Sequence, residues 1–301
     1  MGSGRRESQF EDRFGLGGPV DSFNTPCSEA GKPNQLWIGD YCIERIENGL
    51  ALKKGNETVG TYREAAVLSP DRALLKLDKG MLLEVTPKGT RDVLSPPKGG
   101  IIAFISSDGS ITYNRKKSAY QVRFGSKSDE LLDKYEEFMK EVYDVEPKRY
   151  PHKDREHFFE SIKGSKEVVE DLNKYTPKAT GDWNVPFDYL DKESARMFLK
   201  CFISGDGNIG YYPRYERPSY RLEVRFYSKN REGLKEIADL LDREFGMATR
   251  LYKETKEGVS TMEIALQEDR IRYVREIGSF KKEHQEAIDR ALEAEGLDEE
   301  D

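Results

Sequence analysis

The chain has 301 residues, 35% of them charged, and a net charge of −7, with no apolar run near the length of a membrane span and no apolar N-terminal leader; it reads as a soluble, intracellular (cytoplasmic) protein with room for one large domain and a smaller one. Its cysteines (Cys27, Cys42, Cys201) and histidines (His152, His157, His284) are too few and scattered for a disulfide framework or a zinc site, so any metal is expected to be a hard cation on carboxylates, magnesium or calcium. The acid excess excludes a uniformly basic nucleic-acid binder but not a locally basic one, because binding follows the local field.

Residues 1–34 are rich in Gly, Ser, Pro and charge without any period, and disorder is the expectation there. Residues 35–95 read as a small antiparallel β domain of unassigned role. Strands are expected over 36–46, 50–53, 58–68, 73–77 and 81–86, broken by Asn48-Gly49, Gly55-Asn56, Ser69-Pro70-Asp71 and Lys79-Gly80 and closed by Pro87-Lys88-Gly89. Ser95-Pro96-Pro97-Lys98-Gly99 then marks a boundary.

Residues 96–290 alternate helices and hairpins, and do so twice. In a first repeat, 98–175, a helix ending near Asp108 is followed by a hairpin (110–115, 119–125) and a helix over 129–144. That helix carries an apolar stripe of Leu131, Leu132, Tyr135, Phe138, Met139 and Val142. A second hairpin within 149–162 and a helix over 165–175 complete the repeat. Residues 176–190, with Pro177, Gly181 and Pro186, read as a linker. The second repeat, 191–290, has a helix over 192–205, a hairpin (208–214, 220–227) and a helix over 232–245 with Leu234, Ile237, Leu241 and Phe245 on one face. A further hairpin (249–253, 260–267) and a helix over 269–277 follow, and 291–301 is an acidic tail. The fold class is therefore α+β: two pseudosymmetric αββαββα repeats preceded by a small antiparallel β domain.

The duplication is also visible residue by residue. Ile101-Ile102-Ala103-Phe104-Ile105-Ser106-Ser107-Asp108-Gly109 returns as Leu199-Lys200-Cys201-Phe202-Ile203-Ser204-Gly205-Asp206-Gly207, and Tyr120 to Ser128 returns as Leu222 to Asn230. Ala103, Ser106 and Ser107, like Cys201, Ser204 and Gly205, are small enough for two helices to pack closely. Gly109 and Gly207 suit a left-handed helix end. An acid at each tip sets two carboxylates near one another, which is unfavourable unless a cation sits between them. The competing reading of one copy, an Asp-Gly hairpin turn, is disfavoured by a second copy in the same register with a matching helix after it.

Positive charge gathers downstream of each motif. Residues 111–128 hold Arg115, Lys116, Lys117, Arg123 and Lys127 and no acid, and 209–231 hold Arg214, Arg217, Arg221, Arg225, Lys229 and Arg231 against Glu216 and Glu223. Strand alternation puts Leu222, Val224 and Phe226 on one face and Arg221, Glu223, Arg225, Tyr227 and Lys229 on the other; Gln121, Arg123 and Lys127 share the polar face in the first copy. Such faces suit base edges and phosphates in a major groove, although an ordinary solvated sheet face has the same pattern.

Over residues 98–290 this arrangement resembles the LAGLIDADG homing endonucleases in their single-chain form with two motifs. The resemblance implies a metal-dependent DNA endonuclease, a phosphodiester hydrolase acting in intron homing. Asp108 and Asp206 would be the catalytic metal ligands, with Gly109 and Gly207 as carbonyl donors, Mg2+ as the cofactor and Ca2+ or Mn2+ able to replace it for binding. Lys127 and Lys229 match the basic residue near the family's metal site, although Ser126 and Ser228 stand where glutamine is usual and Ser106 and Ser204 replace the acid at the sixth motif position. Lys281 and Lys282 match a basic C-terminal segment that approaches phosphate. With Arg115, Lys116, Lys117, Gln121, Arg123, Arg214, Arg217, Arg221 and Arg225 they form the expected DNA contact set. The expected partner is double-stranded DNA, bound by a monomer without any membrane. Three rival functions fit the same pattern: an intron maturase with intron RNA as its partner, a DNA-binding protein without cleavage, and a regulator whose N-terminal β unit carries the function.

Overall fold

A computed structural model describes residues 35–47, 49–114, 119–176, 182–213 and 220–294. The chain divides into two units at Val93 and Leu94. The first is built of eight strands in two antiparallel meanders. β1 (Gln35–Ile38), β2 (Tyr41–Ile46), β3 (Gly49–Lys54) and β4 (Glu57–Tyr62) form one sheet in chain order; β5 (Ala65–Ser69), β6 (Arg72–Lys76), β7 (Met81–Thr86) and β8 (Gly89–Leu94) form the other. Ile38, Tyr41, Ile43, Leu50 and Leu52 from the first sheet share one core with Ala73, Leu75 and Val85 from the second. Each fully buried Ile, Leu or Val among them contributes about 1.5–3 kcal/mol.

Two expected strands are each split in this unit. The run 36–46 breaks at Gly39-Asp40, where Gly39 has φ +57 and an added Cβ would lie 2.7 Å from the Cα of Pro87. That combination of a left-handed turn and a close backbone neighbour admits only glycine. The run 58–68 breaks after Tyr62 because the chain there leaves one sheet for the other. β8, beyond Gly89, is an element that the sequence pattern does not indicate.

In the second unit, α1 (Pro96–Asp108), β9 (Gly109–Asn114), β10 (Ala119–Ser126), α2 (Asp129–Tyr143), β11 (Lys148–Pro151), β12 (Phe159–Lys163) and α3 (Lys166–Leu172) make one repeat. α4 (Lys192–Asp206), β13 (Gly207–Pro213), β14 (Tyr220–Ser228), α5 (Arg231–Phe245), β15 (Thr249–Leu251), β16 (Ser260–Ile264) and α6 (Gln267–Glu276) make the other. The sheets run β9-β10-β12-β11 and β13-β14-β16-β15, the same topology twice. The cores repeat as well: Phe104 lies 4.7 Å from Phe124 between ring centroids, and their counterparts Phe202 and Phe226 are 6.3 Å apart. A seventh helix, α7 (Lys282–Ala294), lies on β13 and β14 with His284, Ala287, Ile288 and Ala291 buried, an element beyond the αββαββα order read from the sequence. Among the described residues no helix is long and apolar enough to cross a membrane.

Local chemistry sets the helix ends. Ser128 caps α2 by accepting from Leu131 N–H, Asn230 caps α5 by accepting from Gly233 N–H, and Asp191 and Ser194 form a capping box at α4. α3 is shorter than expected, ending at Leu172, and is tied to α1 by a buried ion pair, Lys98 Nζ to Asp171 Oδ2 at 2.6 Å. Tyr143 OH donates to the same carboxylate oxygen at 2.8 Å. Removing one member of such a pair strands a buried charge, so the cluster fixes where α3 sits.

Candidate functional site

The longest contact in the second unit is α1 against α4. A Cβ on Gly99 would lie 2.9 Å from the Ser194 carbonyl oxygen, one on Gly100 3.0 Å from Cys201 Sγ, and one on Gly205 2.6 Å from Ser107 Cβ. Glycine on one side therefore sets the spacing along this seam. Both helices end in an acid and pass directly into a strand: Gly109 has φ −111 and Gly207 φ −137, both extended. The expected left-handed helix end is thus absent. Glycine is needed there for space instead, since a Cβ would lie 2.7 Å from Arg123 O at Gly109 and 2.7 Å from Ile203 O at Gly207.

The two acids stand side by side. Asp108 Oδ2 lies 3.4 Å from the Cβ position of Gly205, the residue before Asp206. The Asp108 side chain reaches solvent through the site's open side, yet the crowding of protein around it raises its carboxyl above the usual carboxylate range, while Lys281 and Arg155 pull it down. Asp206 is pushed up to about 7, by burial first and by the charge of Asp108 second, against the pull of Lys281. Two such carboxyls at neutral pH favour an added cation. Among the described residues no group of three or more His, Cys, Asp or Glu side chains could hold a metal ion. A cation on this pair would complete its shell with carbonyls, water or substrate oxygens, which is how magnesium binds, so the donor set fits it.

Asp108 opens onto a cavity of about 1150 Å³ that is also lined by Lys127, Arg155, Asn208, Tyr212 and Lys281. Arg155, from the β11–β12 hairpin, gives no sequence signal, because hairpin length and charge do not reveal which carboxylate a loop will face. Lys281 donates through Nζ to Gly205 O at 3.2 Å, so this C-terminal lysine sits at the acid cluster. The Gly205 carbonyl, one residue before Asp206, thereby faces the site, whereas the motif alone points to Gly207. Lys229, the counterpart of Lys127, is exposed beyond the end of β14. Ser126 Oγ accepts from Ser128 N–H and Ser228 Oγ from Asn230 N–H, both at 3.0 Å. These serines, expected from the resemblance to be glutamines, brace the same turn in each repeat, beside Lys127 and Lys229. Lys282 opens α7.

Ser204, at the position where an acid is usual, has a structural task. Its hydroxyl donates to Lys200 O at 2.6 Å, accepts from Phe280 N–H at 2.8 Å and meets Ser279 Oγ at 2.9 Å. Ser279 Oγ in turn lies 2.8 Å from Nδ1 of His284, which is 4% exposed. Ser106 only bonds back to Ile102 O within its own helix, at 2.8 Å. Burial, then Lys281, lowers the His284 imidazole to about 4. A histidine with a depressed folded value supports the fold fully above its unfolded value of 6.5 and loses that contribution as pH falls toward 4. The melting temperature of His284→Gln is therefore expected to fall less between pH 7 and pH 4.5 than that of the wild type. Parallel curves would show that His284 does not titrate there.

Charges on the polar sheet faces are largely tied down. Arg123 Nη2 donates to Gln121 Oε1 at 3.2 Å, and Arg123 Nη1 pairs with Glu160 at 3.4 Å. Arg221 and Arg225 both contact Glu223 and Glu263. Arg115, Lys116, Lys117, Arg214 and Arg217 lie outside the described residues, as do 1–34 and the acidic end of the tail from 295.

Residues 96–173 and 193–283 match a family model described as a LAGLIDADG-like domain. No curated protein matches the chain. Among solved structures, mesophilic variants of the homing endonuclease I-DmoI align at 17% identity over 60% of this chain and 90% of theirs, with a TM-score of 0.48. I-DmoI in complex with DNA and Mn aligns at 19% identity over 61% and 96%, with a TM-score of 0.47. Full-length DUF199/WhiA from Thermatoga maritima aligns at 16% identity over 66% of this chain and 61% of its own, with a TM-score of 0.43.

Proposed function

This chain belongs to the LAGLIDADG-like family, and from that premise we propose that it is a monomeric, magnesium-dependent DNA endonuclease that makes a double-strand break at a long site. The observation that carries the reading is the pair of acids at adjoining helix tips, one of which opens onto a cavity with Lys127, Arg155 and Lys281. Asp108 and Asp206 would hold the cation, which when bound supplies Lewis acidity and a more acidic water. Lys127 and Lys229 stabilise charge as it builds on the phosphates being cut. Lys281 keeps the Gly205 carbonyl turned toward the acids. The sheet faces of the two repeats carry the DNA. The monomer follows from one chain supplying both acids. By the same logic the target is a duplex with a half-site for each repeat.

Plasmids carrying a randomised duplex insert, incubated with the protein and magnesium, test this. Linear product from a restricted set of sequences is expected, with the cut ends defining the site. Plasmid that is bound but never cut would leave DNA binding without cleavage; affinity for structured intron RNA alone would leave the maturase reading. On the selected site, Lys127→Met and Lys229→Met should each slow cleavage by roughly one to three orders of magnitude with binding retained. Wild-type rates in both at saturating DNA would remove the lysines from the chemistry.

A further inference from the structure

The two repeats share a topology but differ on the polar sheet face: Ala119 and Gln121 of the first stand where the second has Arg221 and Glu223, and the residue across from the shared arginine differs as well. In the first, Arg123 of β10 stands opposite Ile162 of β12; in the second, the equivalent Arg225 of β14 stands opposite Glu263 of β16. Glu263 is 1% exposed, although it lies on the same face as side chains that reach solvent. Its carboxylate is held from behind by Arg270, whose Nη2 lies 2.7 Å from Oε1, and by Tyr252, whose OH donates to Oε2 at 2.6 Å. Arg270 is itself fixed by donating to Ile264 O at 2.7 Å and Ala265 O at 2.9 Å. In front, Arg221 Nη2 binds Oε1 and Arg225 Nε lies 3.8 Å from Oε2. Glu223 takes the other side of each, at 3.7 Å from Arg221 Nε and 2.9 Å from Arg225 Nη2.

A buried carboxylate on a solvent-facing sheet is costly unless its partners gain a fixed geometry. Here the gain is orientation. Arg221 and Arg225 start four residues apart on one strand, yet both heads converge on one carboxylate. Each head makes its close contact through Nη2, Arg221 to Glu263 and Arg225 to Glu223 at 2.9 Å, with Nε at 3.7 to 3.8 Å from the second glutamate, and Arg225 is tied further by Tyr227. With three arginines set against two glutamates, the cluster has little spare charge with which to attract phosphate. A clamp on the DNA backbone needs the opposite, a free and mobile cation. A held guanidinium suits directional recognition, in which an arginine fork meets O6 and N7 of guanine.

We propose that Glu263 is a positioning residue that sets Arg221 and Arg225 as a rigid pair reading guanines at adjacent base pairs, so that the half-site under the second repeat tolerates less variation than the half-site under the first. The inference rests on the DNA reading above and deepens it. In the first repeat Ile162 offers Arg123 no such anchor, and Arg123 is held only by Gln121 and the longer contact to Glu160.

The test is selection of bound duplexes from a randomised pool, with calcium in place of magnesium, for the wild type, Glu263→Gln, Arg225→Lys and Arg225→Ala, with Gln121→Ala marking the opposite half-site. The wild type is expected to require neighbouring guanines in the half that Gln121→Ala leaves alone. Glu263→Gln should lower discrimination at those positions by roughly tenfold or more and leave the other half unchanged. A purely structural role would weaken both halves together. Arg225→Lys keeps the charge and the carboxylate, so it should lose the guanine preference with non-specific affinity intact, and it serves if Glu263→Gln does not fold. Arg225→Ala should leave the salt dependence of binding as it was; a slope flattened by about one unit would make Arg225 a phosphate contact and overturn the proposal. Guanine preference surviving in a folded Glu263→Gln or in Arg225→Lys would overturn it too, as would a wild-type half-site without guanine. A wild type with no sequence preference at all would instead sink the DNA reading on which the inference stands.

Discussion

Asp108→Asn and Asp206→Asn, each alone, are expected to abolish double-strand cleavage while leaving DNA binding within reach of the wild type. The amide keeps the shape of the carboxylate but is a poor ligand for a hard cation. A second readout separates this from general damage. Because the Asp206 carboxyl is pushed up to about 7, the metal-free fold binds a proton that the unfolded chain releases near 3.8. The contribution of Asp206 to the stability of the metal-free wild type is read as the difference between the wild-type and Asp206→Asn curves, to which His284 contributes equally. It should therefore fall as pH rises from about 4 through 7, where an unrelieved pair of charges forms. Asp206→Asn removes one of them, so its metal-free melting temperature at pH 8 should exceed that of the wild type. Magnesium should raise the wild-type value and leave the variant nearly unmoved. A variant that cuts at the wild-type rate, or that is no more stable than the wild type at pH 8 without metal, would remove the acid pair from its assigned role.

Gly205→Ala is expected to be nearly as damaging without touching a charge. The added methyl would meet Ser107 Cβ at 2.6 Å, at the end of the seam where the acids sit. Ser107 can turn its hydroxyl away, but its Cβ moves only if the helix moves. Overpacking of this kind costs about 1–3 kcal/mol, or a few degrees of melting temperature for a unit of this size at about 2–4 °C per kcal/mol. The loss of activity should be larger than the loss of stability, because a shift of roughly 1 Å at reacting groups can cost about a hundredfold in rate. Ser107→Gly in the same chain removes the obstructing Cβ and should recover most of both losses. Such non-additivity is the signature of direct contact. If Gly205→Ala melts and cuts like the wild type, the helices are not held at the spacing described above.

Much of this site is legible in the sequence because it depends on period and repetition. The duplicate motif locates both acids, the stripes of α2 and α5 give the helices that cover each sheet, and the two-residue alternation of β10 and β14 separates core from polar face. What is not legible depends on partners far apart in the chain. Ser204 reads as a lost acid until Ser279, Phe280 and His284 are brought against it. Arg155 acts on Asp108 from a hairpin whose own sequence says nothing of its direction. Alternation identifies the face that carries Arg221 and Arg225, but only strand pairing shows that Glu263 lies between them. Gly109 and Gly207 are obligatory glycines, though not for the reason their place at a helix end suggests. The constraint is a neighbouring carbonyl rather than a left-handed turn.

The seam also bears on how such a chain can change over generations. Gly99 with Ser194, Gly100 with Cys201 and Ser107 with Gly205 each join one repeat to the other, and each leaves no room for a larger side chain on the glycine. The halves, once duplicated, could drift freely in their sheets but not along this line, where a change on one side demands an answering change on the other. Chimeras that join the first half of one relative to the second half of another should therefore fold only when both parents carry compatible residues at these three meeting points, however alike or unlike their DNA-facing strands. New specificity would be more readily assembled by exchanging strands within a half than by exchanging halves.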